Sequence, residues 1–392
     1  MSAGLIALGG VSVTSGQARP ALPVIAREGP DGYFVLVAHV NGAPVRLAFD
    51  TGAEVSVLTR ATASRLGLRV TEWPADRQVV PGKVGLGRTE PFALTLWGMS
   101  LRTSFGVLDV PIPFRLDGLL GWPAVRKNII RFDGRDVAFL EGVPPEASTW
   151  MRLPVRAGAA TLGIEIPGRA GGTETLAVDT GGLLGVSLNE REWREWTAAH
   201  PNRPRTLDAT FMPGAGLRVQ EVTWADEISI GPLTINDVSL REANIAETAV
   251  APAYRATLGL MAVRRLDLIV DGSSDVAYIR PRRAGPPTPP QHNRLGAVFV
   301  PADVEKGSDL VAVVLHGGPA WEAGIRDGDV LRRVGDLDVT TWRSDPAAVP
   351  NRFFERAAGT TLELTLRRGD EDYHVAVVLR DLLGPGVAPP PS

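Results

Sequence analysis

The chain has 392 residues, a formal net charge of −3 and no cysteine. The lack of cysteine excludes disulfides, thiolate zinc sites and cysteine nucleophiles, and the weak charge without a basic block argues against nucleic-acid binding. Hydrophobic residues make up 44% of the chain, which is typical of a globular protein with two or three domains.

Residues 1–22 are predicted to be a leader. The weak apolar run Gly4–Val13 is followed by small residues, which is compatible with the end of a secretory signal or with a disordered leader. No segment is long and apolar enough to span a bilayer. Only three of the 41 basic residues are lysines, a bias that indicates a GC-rich bacterial genome. We expect a location outside the bacterial cytoplasm, periplasmic or secreted, with the cytoplasm as the alternative.

The first predicted domain spans residues 23–144 and begins with a β-hairpin. Tyr33–Val40 alternates apolar and polar residues, and Asn41-Gly42 favours a tight turn before the return strand Val45–Asp50. The return strand ends in the triplet Asp50-Thr51-Gly52, and a further apolar run follows it. The triplet is therefore predicted to form a turn between two strands.

A helix and a glycine-rich loop are predicted after this turn. Thr59–Leu66 has the pattern of a short helix that ends at Gly67, and Leu101–Leu108 reads as a later strand. The glycine-rich segment between them could close over a substrate as a flap, and an ordinary surface loop is the alternative. The flap candidates are Gly82, Val84, Gly85 and Gly87.

The second predicted domain, residues 151–280, repeats this plan. A second predicted hairpin leads to the triplet Asp179-Thr180-Gly181. Asn189 is a suitable N-cap for a helix over Glu190–Ala199. The segment Pro213–Gly216 is the counterpart of the flap loop.

The two triplets lie within a long internal repeat. The segments Leu119–Leu140 and Leu258–Ile279 align with one inserted residue, and each carries an apolar-glycine element followed by an Asp-Gly turn. One such triplet alone could be an ordinary β-turn. A duplicated unit instead predicts two similar lobes around a pseudo-dyad, with Asp50 and Asp179 meeting at the axis.

The C-terminal third begins with a proline-rich stretch, residues 281–290, which predicts a semi-rigid linker. Residues 291–383 contain G-G-P-A-W-E-A-G-I-R-D-G-D-V-L and then G-D-L-D-V, a pattern that resembles a PDZ domain. That resemblance implies a small α/β domain that binds peptides by β-augmentation. Residues 384–392 are predicted to be disordered.

The resemblance to a PDZ domain also implies a loop whose amides hold the C-terminal carboxylate of a peptide. The candidate loop residues are Leu295, Gly296, Ala297 and Val298. The alternative is that this stretch is simply the first strand of the domain.

The first two-thirds of the chain resemble the pepsin and retropepsin superfamily, in particular bacterial retropepsin-like aspartyl proteases joined to a PDZ domain. The resemblance covers Tyr33–Ile279 and rests on F-D-T-G-A-x-x-S-x-L from Phe49 and on D-G-L-L-G from Asp117. It implies a mainly β fold with two acid-protease lobes, followed by a small α/β domain.

By this resemblance, Asp50 and Asp179 form the catalytic dyad. Two carboxylates in contact cannot both ionise cheaply, so one keeps a proton while the other activates a water molecule. Many relatives carry a hydroxyl residue after the triplet, whereas Ala53 and Gly182 supply none. Because a donor to the charged form is missing, we expect a pH optimum less acidic than that of pepsin.

The same resemblance assigns roles to the rest of each triplet. Thr51 and Thr180 would cross-link the two loops beneath the dyad by hydrogen bonds. Gly52 and Gly181 would permit the sharp backbone and donate amides to the carboxylates. These four residues are the predicted support of the dyad.

The resulting hypothesis is a monomeric aspartic endopeptidase whose PDZ domain recruits or gates a protein or peptide substrate. The alternative is a catalytically weak or inactive protease fold that acts as a peptide-binding module. No cofactor or metal is expected, because the histidines lack metal-ligand spacing and neither H-E-x-x-H nor G-x-S-x-G occurs. These histidines are His39, His200, His292, His316 and His374.

Overall fold

A computed structural model describes residues 24–29, 32–72, 87–108, 116–212, 216–243, 254–282, 291–303, 306–307, 309–344, 349, 352–384 and 387. The predicted leader, most of the predicted linker and most of the predicted tail lie outside these residues. The domain boundaries named above therefore stay predictions.

The chain is mainly β-structure, as predicted. The strands of the first third are β1 (Val24–Glu28), β2 (Phe34–Val40), β3 (Ala43–Asp50), β4 (Val57–Thr59), β5 (Val70–Glu72), β6 (Gly87–Thr89), β7 (Phe92–Leu96), β8 (Met99–Thr103), β9 (Gly106–Leu108), β10 (Gly118–Gly121), β11 (Ile129–Phe132) and β12 (Asp136–Leu140).

The strands of the middle third are β13 (Met151–Pro154), β14 (Gly163–Pro167), β15 (Thr173–Asp179), β16 (Val186–Leu188), β17 (Arg205–Met212), β18 (Gly216–Ile230), β19 (Leu233–Glu242), β20 (Ala256–Gly259), β21 (Leu266–Asp271) and β22 (Val276–Pro281). The last strands are β23 (Ala297–Pro301), β24 (Leu310–Val314), β25 (Val330–Val334), β26 (Leu337–Asp338), β27 (Thr361–Arg368) and β28 (Glu371–Val378).

Short helices punctuate the strands. The α-helices are α1 (Arg60–Arg65), α2 (Glu190–Ala199), α3 (Leu260–Val263) and α4 (Pro319–Glu322), and the 3-10 helices are Trp122–Ala124, Pro145–Thr149 and Phe353–Glu355. Thr59 and Asn189 cap α1 and α2, because each side chain accepts a hydrogen bond from a backbone amide of the first helical turn. In the part of the chain described, no helix is both long and apolar enough to cross a membrane.

The predicted hairpin before the first triplet is confirmed. β2 and β3 pair in antiparallel register, with Val40 opposite Ala43. Asn41 and Gly42 form the turn with φ angles of 48° and 86°, the left-handed backbone that a two-residue hairpin requires. Alternate side chains of β2 are buried, so one face of this hairpin packs into the core.

The repeat seen in the sequence has the same strand pairing in both copies. β10 runs parallel to β3 and places Gly121 opposite Asp50, and β20 runs parallel to β15 and places Gly259 opposite Asp179. The strand after each triplet, β4 or β16, pairs antiparallel with β10 or β20. Each aspartate therefore ends a central strand whose neighbours hold it from both sides.

A sheet joins the two copies. β11 pairs antiparallel with β21, and Arg131 lies directly opposite Ile269. The sequence repeat makes these two positions equivalent, so a local two-fold axis passes between them. One hydrophobic core spans both copies, with fully buried side chains that include Phe34, Phe49 and Phe132.

The C-terminal strands form a separate sheet with its own core. The order is β23-β24-β25-β27-β28, with β26 paired to β25, around buried residues such as Leu331 and Leu366. This sheet rests on the second copy of the repeat. The Thr206 hydroxyl donates to the Asn293 carbonyl (2.7 Å), and the Asn293 amide group donates to the Leu207 carbonyl (3.0 Å).

Candidate active site

Asp50 and Asp179 occupy the same place in the two copies. Each ends a strand, β3 or β15, and each carboxylate accepts a hydrogen bond from the amide two residues later. The Gly52 amide donates to Asp50 Oδ1, and the Gly181 amide donates to Asp179 Oδ1, both at 2.9 Å. The two turns therefore hold their carboxylates in the same way.

Thr51 and Thr180 bind the two turns to each other. The Thr51 hydroxyl donates to the Val178 carbonyl (2.6 Å) and accepts from the Thr180 amide (3.1 Å). In return, the Thr180 hydroxyl donates to the Phe49 carbonyl (2.6 Å) and accepts from the Thr51 amide (3.0 Å). Both threonines are 0% exposed. An unpaired polar group in this position would keep its full desolvation penalty, so the four bonds strongly favour this one arrangement.

The glycines of the triplets bring the two carboxylates together. A Cβ added at Gly52 would overlap the carboxylate of Asp179, and a Cβ added at Gly181 would overlap that of Asp50. Each aspartate side chain thus lies against the glycine of the opposite turn. Because only a residue without a side chain leaves this space, both glycines are required for the approach of the two acids.

The two acids are half-buried, and each of them affects the pKa of the other. Burial and the neighbouring charge of Asp179 raise the pKa of Asp50 to about 8, against the opposing effect of the Gly52 amide. Burial also raises the pKa of Asp179, and hydrogen bonds from the Gly181 amide and from Asp50 oppose this rise. Since two like charges in a buried site repel strongly, the pair titrates as a unit and holds one proton over a broad pH range.

Sequence reasoning missed Arg241, which lies opposite Ser187 of the strand that follows the second triplet. Only 15% of its side-chain surface is exposed, and its Nε donates to the Ser187 hydroxyl (2.9 Å). Its Nη1 donates to the Thr210 hydroxyl (3.2 Å) and lies 3.7 Å from Asp208 Oδ2. The charge of Arg241 lowers the pKa of Asp179, again against the larger effect of burial. A comparison of the two copies carries the signal, because Ser187 pairs with Thr257 where the first copy pairs the apolar Val57 with Leu119.

The flap candidates are only partly described. Gly82, Val84 and Gly85 lie outside the described residues. Gly87 is the first residue of β6, where it lies opposite Glu72 of β5. Gly87 therefore belongs to a strand of the hairpin whose connecting segment contains the other three candidates. In the second copy, residues 213–215 likewise lie outside the described residues, between β17 and β18.

The candidate peptide loop of the C-terminal region is buried. Leu295 and Ala297 are 0% exposed and Val298 is 2% exposed. The amides of Leu295 and Gly296 donate to the Asn293 side-chain oxygen at 2.9 and 3.1 Å. Ala297 and Val298 belong to β23. This half of the stretch is therefore the start of the first strand of the C-terminal sheet, which was the alternative interpretation. The two amides that precede the strand are engaged within the chain.

A pocket of about 410 Å³ adjoins the first turn. Glu54, Val55 and Ser56, which follow the triplet after Ala53, line this pocket. The apolar part of the lining includes Leu94, Leu96, Trp97, Phe105, Leu120 and Phe139. Among the described residues, no group of three or more acidic or histidine side chains is arranged to hold a metal ion.

A comparison with known protein families finds a match for the part of the chain that contains the first triplet. Residues 36–123 match the family model of aspartyl proteases. This match contains Asp50 and Gly121 and covers less than a quarter of the chain. The first third therefore contains a segment that is similar to aspartyl proteases. This match indicates a peptide-bond hydrolase.

A second similarity is to a curated protein. Over 72 residues, the chain is 32% identical to serine protease HTRA1 of Xenopus tropicalis, which covers 18% of this chain and 14% of that protein. The chain thus matches about one-seventh of the length of this relative.

Proposed function

We propose that the chain is an aspartic endopeptidase in which Asp50 and Asp179 together activate a water molecule. The observation that carries the proposal is the reciprocal pair of turns. Thr51 and Thr180 hydrogen-bond each other's loops, and the two carboxylates lie against opposite glycines. Two half-buried acids held this closely repel unless they share a proton, and shared-proton chemistry is what peptide hydrolysis by an acid pair requires.

The geometry supports a two-acid mechanism. The ionised carboxylate takes a proton from the water as its oxygen attacks the scissile carbonyl carbon, and the protonated acid donates to the carbonyl oxygen. The tetrahedral intermediate then collapses, and a proton passes to the leaving amine nitrogen. The buried threonine bonds hold the acids in one position during these steps, so the groups need no reorganisation.

The substrate would lie across both copies as a bilobal acid protease requires. The largely apolar pocket is lined in part by Glu54 and Val55, which follow Asp50 in the sequence. Its volume of about 410 Å³ has room for a large apolar side chain. The proposal therefore includes a preference for an apolar residue near the scissile bond.

For the C-terminal PDZ-like region, the contacts favour gating of the protease over recruitment of a peptide. The amides of Leu295 and Gly296 are occupied by Asn293, and Asn293 also binds the Leu207 carbonyl of β17. Leu383 packs with Val222 and Trp224 of β18. A peptide that claimed these amides would disturb the contact with the β17–β18 hairpin, which is the counterpart of the flap hairpin in the first copy.

The test is cleavage of casein by the full chain between pH 3 and pH 8. Wild type is compared with Asp50→Asn and Asp179→Asn, and the exposed Asp372→Asn serves as the matched control. We expect both dyad variants to lose at least about 1,000-fold in rate, because each removes one half of a two-acid mechanism, whereas the control keeps wild-type activity.

The pH profile of the same assay is a second check. The pKa of Asp50, raised to about 8 by burial and Asp179, lets the singly protonated pair persist up to mildly basic pH. We expect a bell-shaped profile with its maximum above about pH 4, the ordinary carboxylate range. Activity that survives either dyad substitution contradicts the proposal. A wild-type chain that binds casein without cleaving it at any pH indicates a peptide-binding module instead.

A further inference from the structure

His292 is a buried histidine that the proposed chemistry does not use. Only 3% of its side-chain surface is exposed. Its Nε2 accepts one hydrogen bond from the Leu382 amide (3.0 Å) and one from the Leu383 amide (3.2 Å). A ring nitrogen that accepts hydrogen bonds carries no proton, so this arrangement requires the imidazole of His292 to be neutral.

The two amides belong to a segment that contacts the second copy of the repeat. Leu383 is 2% exposed and packs with Val222 and Trp224 of β18. Asn293, which follows His292 in the sequence, makes the hydrogen bonds with β17 described above. His292 therefore connects the two contacts that hold the C-terminal region on the β17–β18 hairpin.

Protonation of the ring would remove this acceptor. Both nitrogens of a charged imidazole are donors, so the amides of Leu382 and Leu383 would lose their partner in a buried position and pay a desolvation penalty. Asp381 Oδ1 lies 3.7 Å from the same ring nitrogen and accepts a hydrogen bond from Arg294 Nε (2.6 Å). A charged ring would be attracted to this carboxylate instead of the two amides. The neutral ring thus favours the docked segment, and the charged ring favours another arrangement of residues 381–383.

The other charged groups near this contact do not produce the same effect. Besides Asp381, they are Asp208, Arg294, Arg352, Glu355 and Arg380. The three arginines keep their charge across the neutral and acidic range. Burial raises the pKa of Glu355, and the charge of Asp208 adds to this rise against that of Arg352. Acidification therefore discharges Glu355 and relieves its repulsion from Asp208, which strengthens the contact, whereas protonation of His292 weakens it.

We propose that His292 is a pH-sensitive switch between the C-terminal region and the β17–β18 hairpin, in which the neutral ring holds Leu383 against the second copy and the protonated ring releases it. An unperturbed imidazole takes up its proton at about pH 6.5. Because the released arrangement binds the proton, the ratio of docked to released chains should fall as pH decreases through this value, by up to about tenfold per pH unit. Only the effect of this release on cleavage rests on the proposed function.

Hydrogen exchange of the full chain measures the two hydrogen bonds directly. The exchange rates of the Leu382 and Leu383 amides are followed by mass spectrometry at about pH 7.5 and about pH 5.5, and each is compared with the intrinsic rate at that pH to give a protection factor. We expect the protection factors of both amides in wild type to be about tenfold lower at the acidic pH. The amides of β27 and β28 should keep their protection, which distinguishes local release from global unfolding.

Two variants assign the pH response to one histidine. His292→Gln provides a side-chain oxygen that accepts hydrogen bonds and does not titrate, so the protection of Leu382 and Leu383 should be the same at both pH values. His374→Gln is the matched control, because the ring of His374 is exposed and bonds the Thr365 hydroxyl within the C-terminal sheet (2.9 Å). This control should show the wild-type response.

The lack of cysteine in the chain allows a second measurement. Val222→Cys places a single thiol in the cluster that contains Leu383. Its rate of alkylation by N-ethylmaleimide is divided by that of N-acetylcysteine at the same pH, which corrects for thiol ionisation. We expect this relative rate to rise about tenfold between the same two pH values, and to stay constant when His292→Gln is added.

Unchanged protection of Leu382 and Leu383 in wild type, or a pH response that persists in His292→Gln, would overturn the inference. A chain that shows the expected release but cleaves no protein would refute the proposed function and leave the role of His292 supported.

Discussion

The two copies of the repeat present their acids by the same hydrogen bonds but embed them in different surroundings. In both, a strand ends in Asp-Thr-Gly, and a glycine of a neighbouring parallel strand lies opposite the acid. On the strand after this turn, the first copy places Val57 opposite Gly106, whereas the second places Ser187 opposite Arg241. The hydrogen bonds of the two turns are therefore alike, while the side chains on the strands that follow them differ.

The same contrast extends to the outer strands. In the first copy, β5 and β6 are three-residue strands. In the second, β17 pairs with β18 over eight residue pairs, and this longer hairpin also carries the contact with the C-terminal sheet. Among the described residues, the strands of the second copy's hairpin are thus the longer ones, and they also contact the C-terminal region.

We expect the largest loss of activity from a methyl group at Gly181, which would displace the acid of one turn only. A Cβ there would overlap the Asp50 carboxylate, whereas a Cβ at the next residue, Gly182, would lie 3.4 Å from Asp179 Oδ2, an ordinary contact. We expect Gly181→Ala to lower kcat/KM for casein at least about 100-fold, because displacing a catalytic group by 1 Å costs that much. Gly182→Ala is the matched control and should stay within about threefold of wild type, since surface-like changes without steric conflict are small.

Gly52→Ala tests whether the close approach of an acid to the opposite glycine matters equally in both turns. Its Cβ would overlap the Asp179 carboxylate, so it should match Gly181→Ala in effect. Equal activities for wild type and Gly181→Ala would show that the two acids do not work in contact.

The next effect concerns the threonines that join the copies. Thr51→Val removes a donor to the Val178 carbonyl and an acceptor for the Thr180 amide, both buried. Thr180→Val does the same to the Phe49 carbonyl and the Thr51 amide. We expect each variant to lose about 2 to 4 kcal/mol in the free energy of unfolding, because each leaves two buried polar groups unpaired.

Urea unfolding measures this loss, and Thr51→Ser and Thr180→Ser, which keep the hydroxyl, are the controls. If the two threonines contribute equally to the free energy of unfolding, the two valine variants should agree within about 1 kcal/mol. The double variant should lose less than the sum of the two single losses. A loss confined to one threonine would mean that the turns are not equivalent.

Much of this arrangement could be predicted from the sequence because it depends on local patterns. Asn41-Gly42 fixes a hairpin, Asn189 caps a helix, and the duplicated triplets indicate two equivalent turns. The stretch Leu101–Leu108, expected as one strand, is instead split between β8 and β9. Phe105, which lies in the break, donates its amide to the Thr89 hydroxyl of another strand and buries its ring against Phe92. A tertiary contact of this kind overrides strand propensity and leaves no local signal.

The unpredicted parts of the site have the same cause. Arg241 contacts Ser187 only because β19 lies beside β16, a parallel pairing between strands far apart in sequence. The engagement of the Leu295 and Gly296 amides by Asn293 depends on how that side chain is fixed by Leu207 of another region. Patterns of hydrophobicity define which residues form a strand, but they carry little information on which strand becomes its neighbour.

The most discriminating effect is the pH dependence of stability. In the folded protein the pKa of Asp50 is raised from 3.8 to about 8. Below pH 3.8 the acid is protonated in both the folded and the unfolded chain, so its burial costs nothing through ionisation. As pH rises from 3.8 towards 8, the unfolded chain ionises while the folded chain keeps its proton, and folding becomes less favourable by up to about 1.4 kcal/mol per pH unit.

Asp50→Asn should remove this slope, because an amide has no proton to release in this range. We therefore expect the variant to be more stable than wild type near pH 7, with the advantage shrinking to zero towards pH 4, as measured by urea unfolding at each pH. Asp179→Asn should also flatten the slope, because burial raises the pKa of Asp179 as well. A slope that stayed unchanged in Asp50→Asn would show that Asp50 does not keep its proton in the folded chain at these pH values.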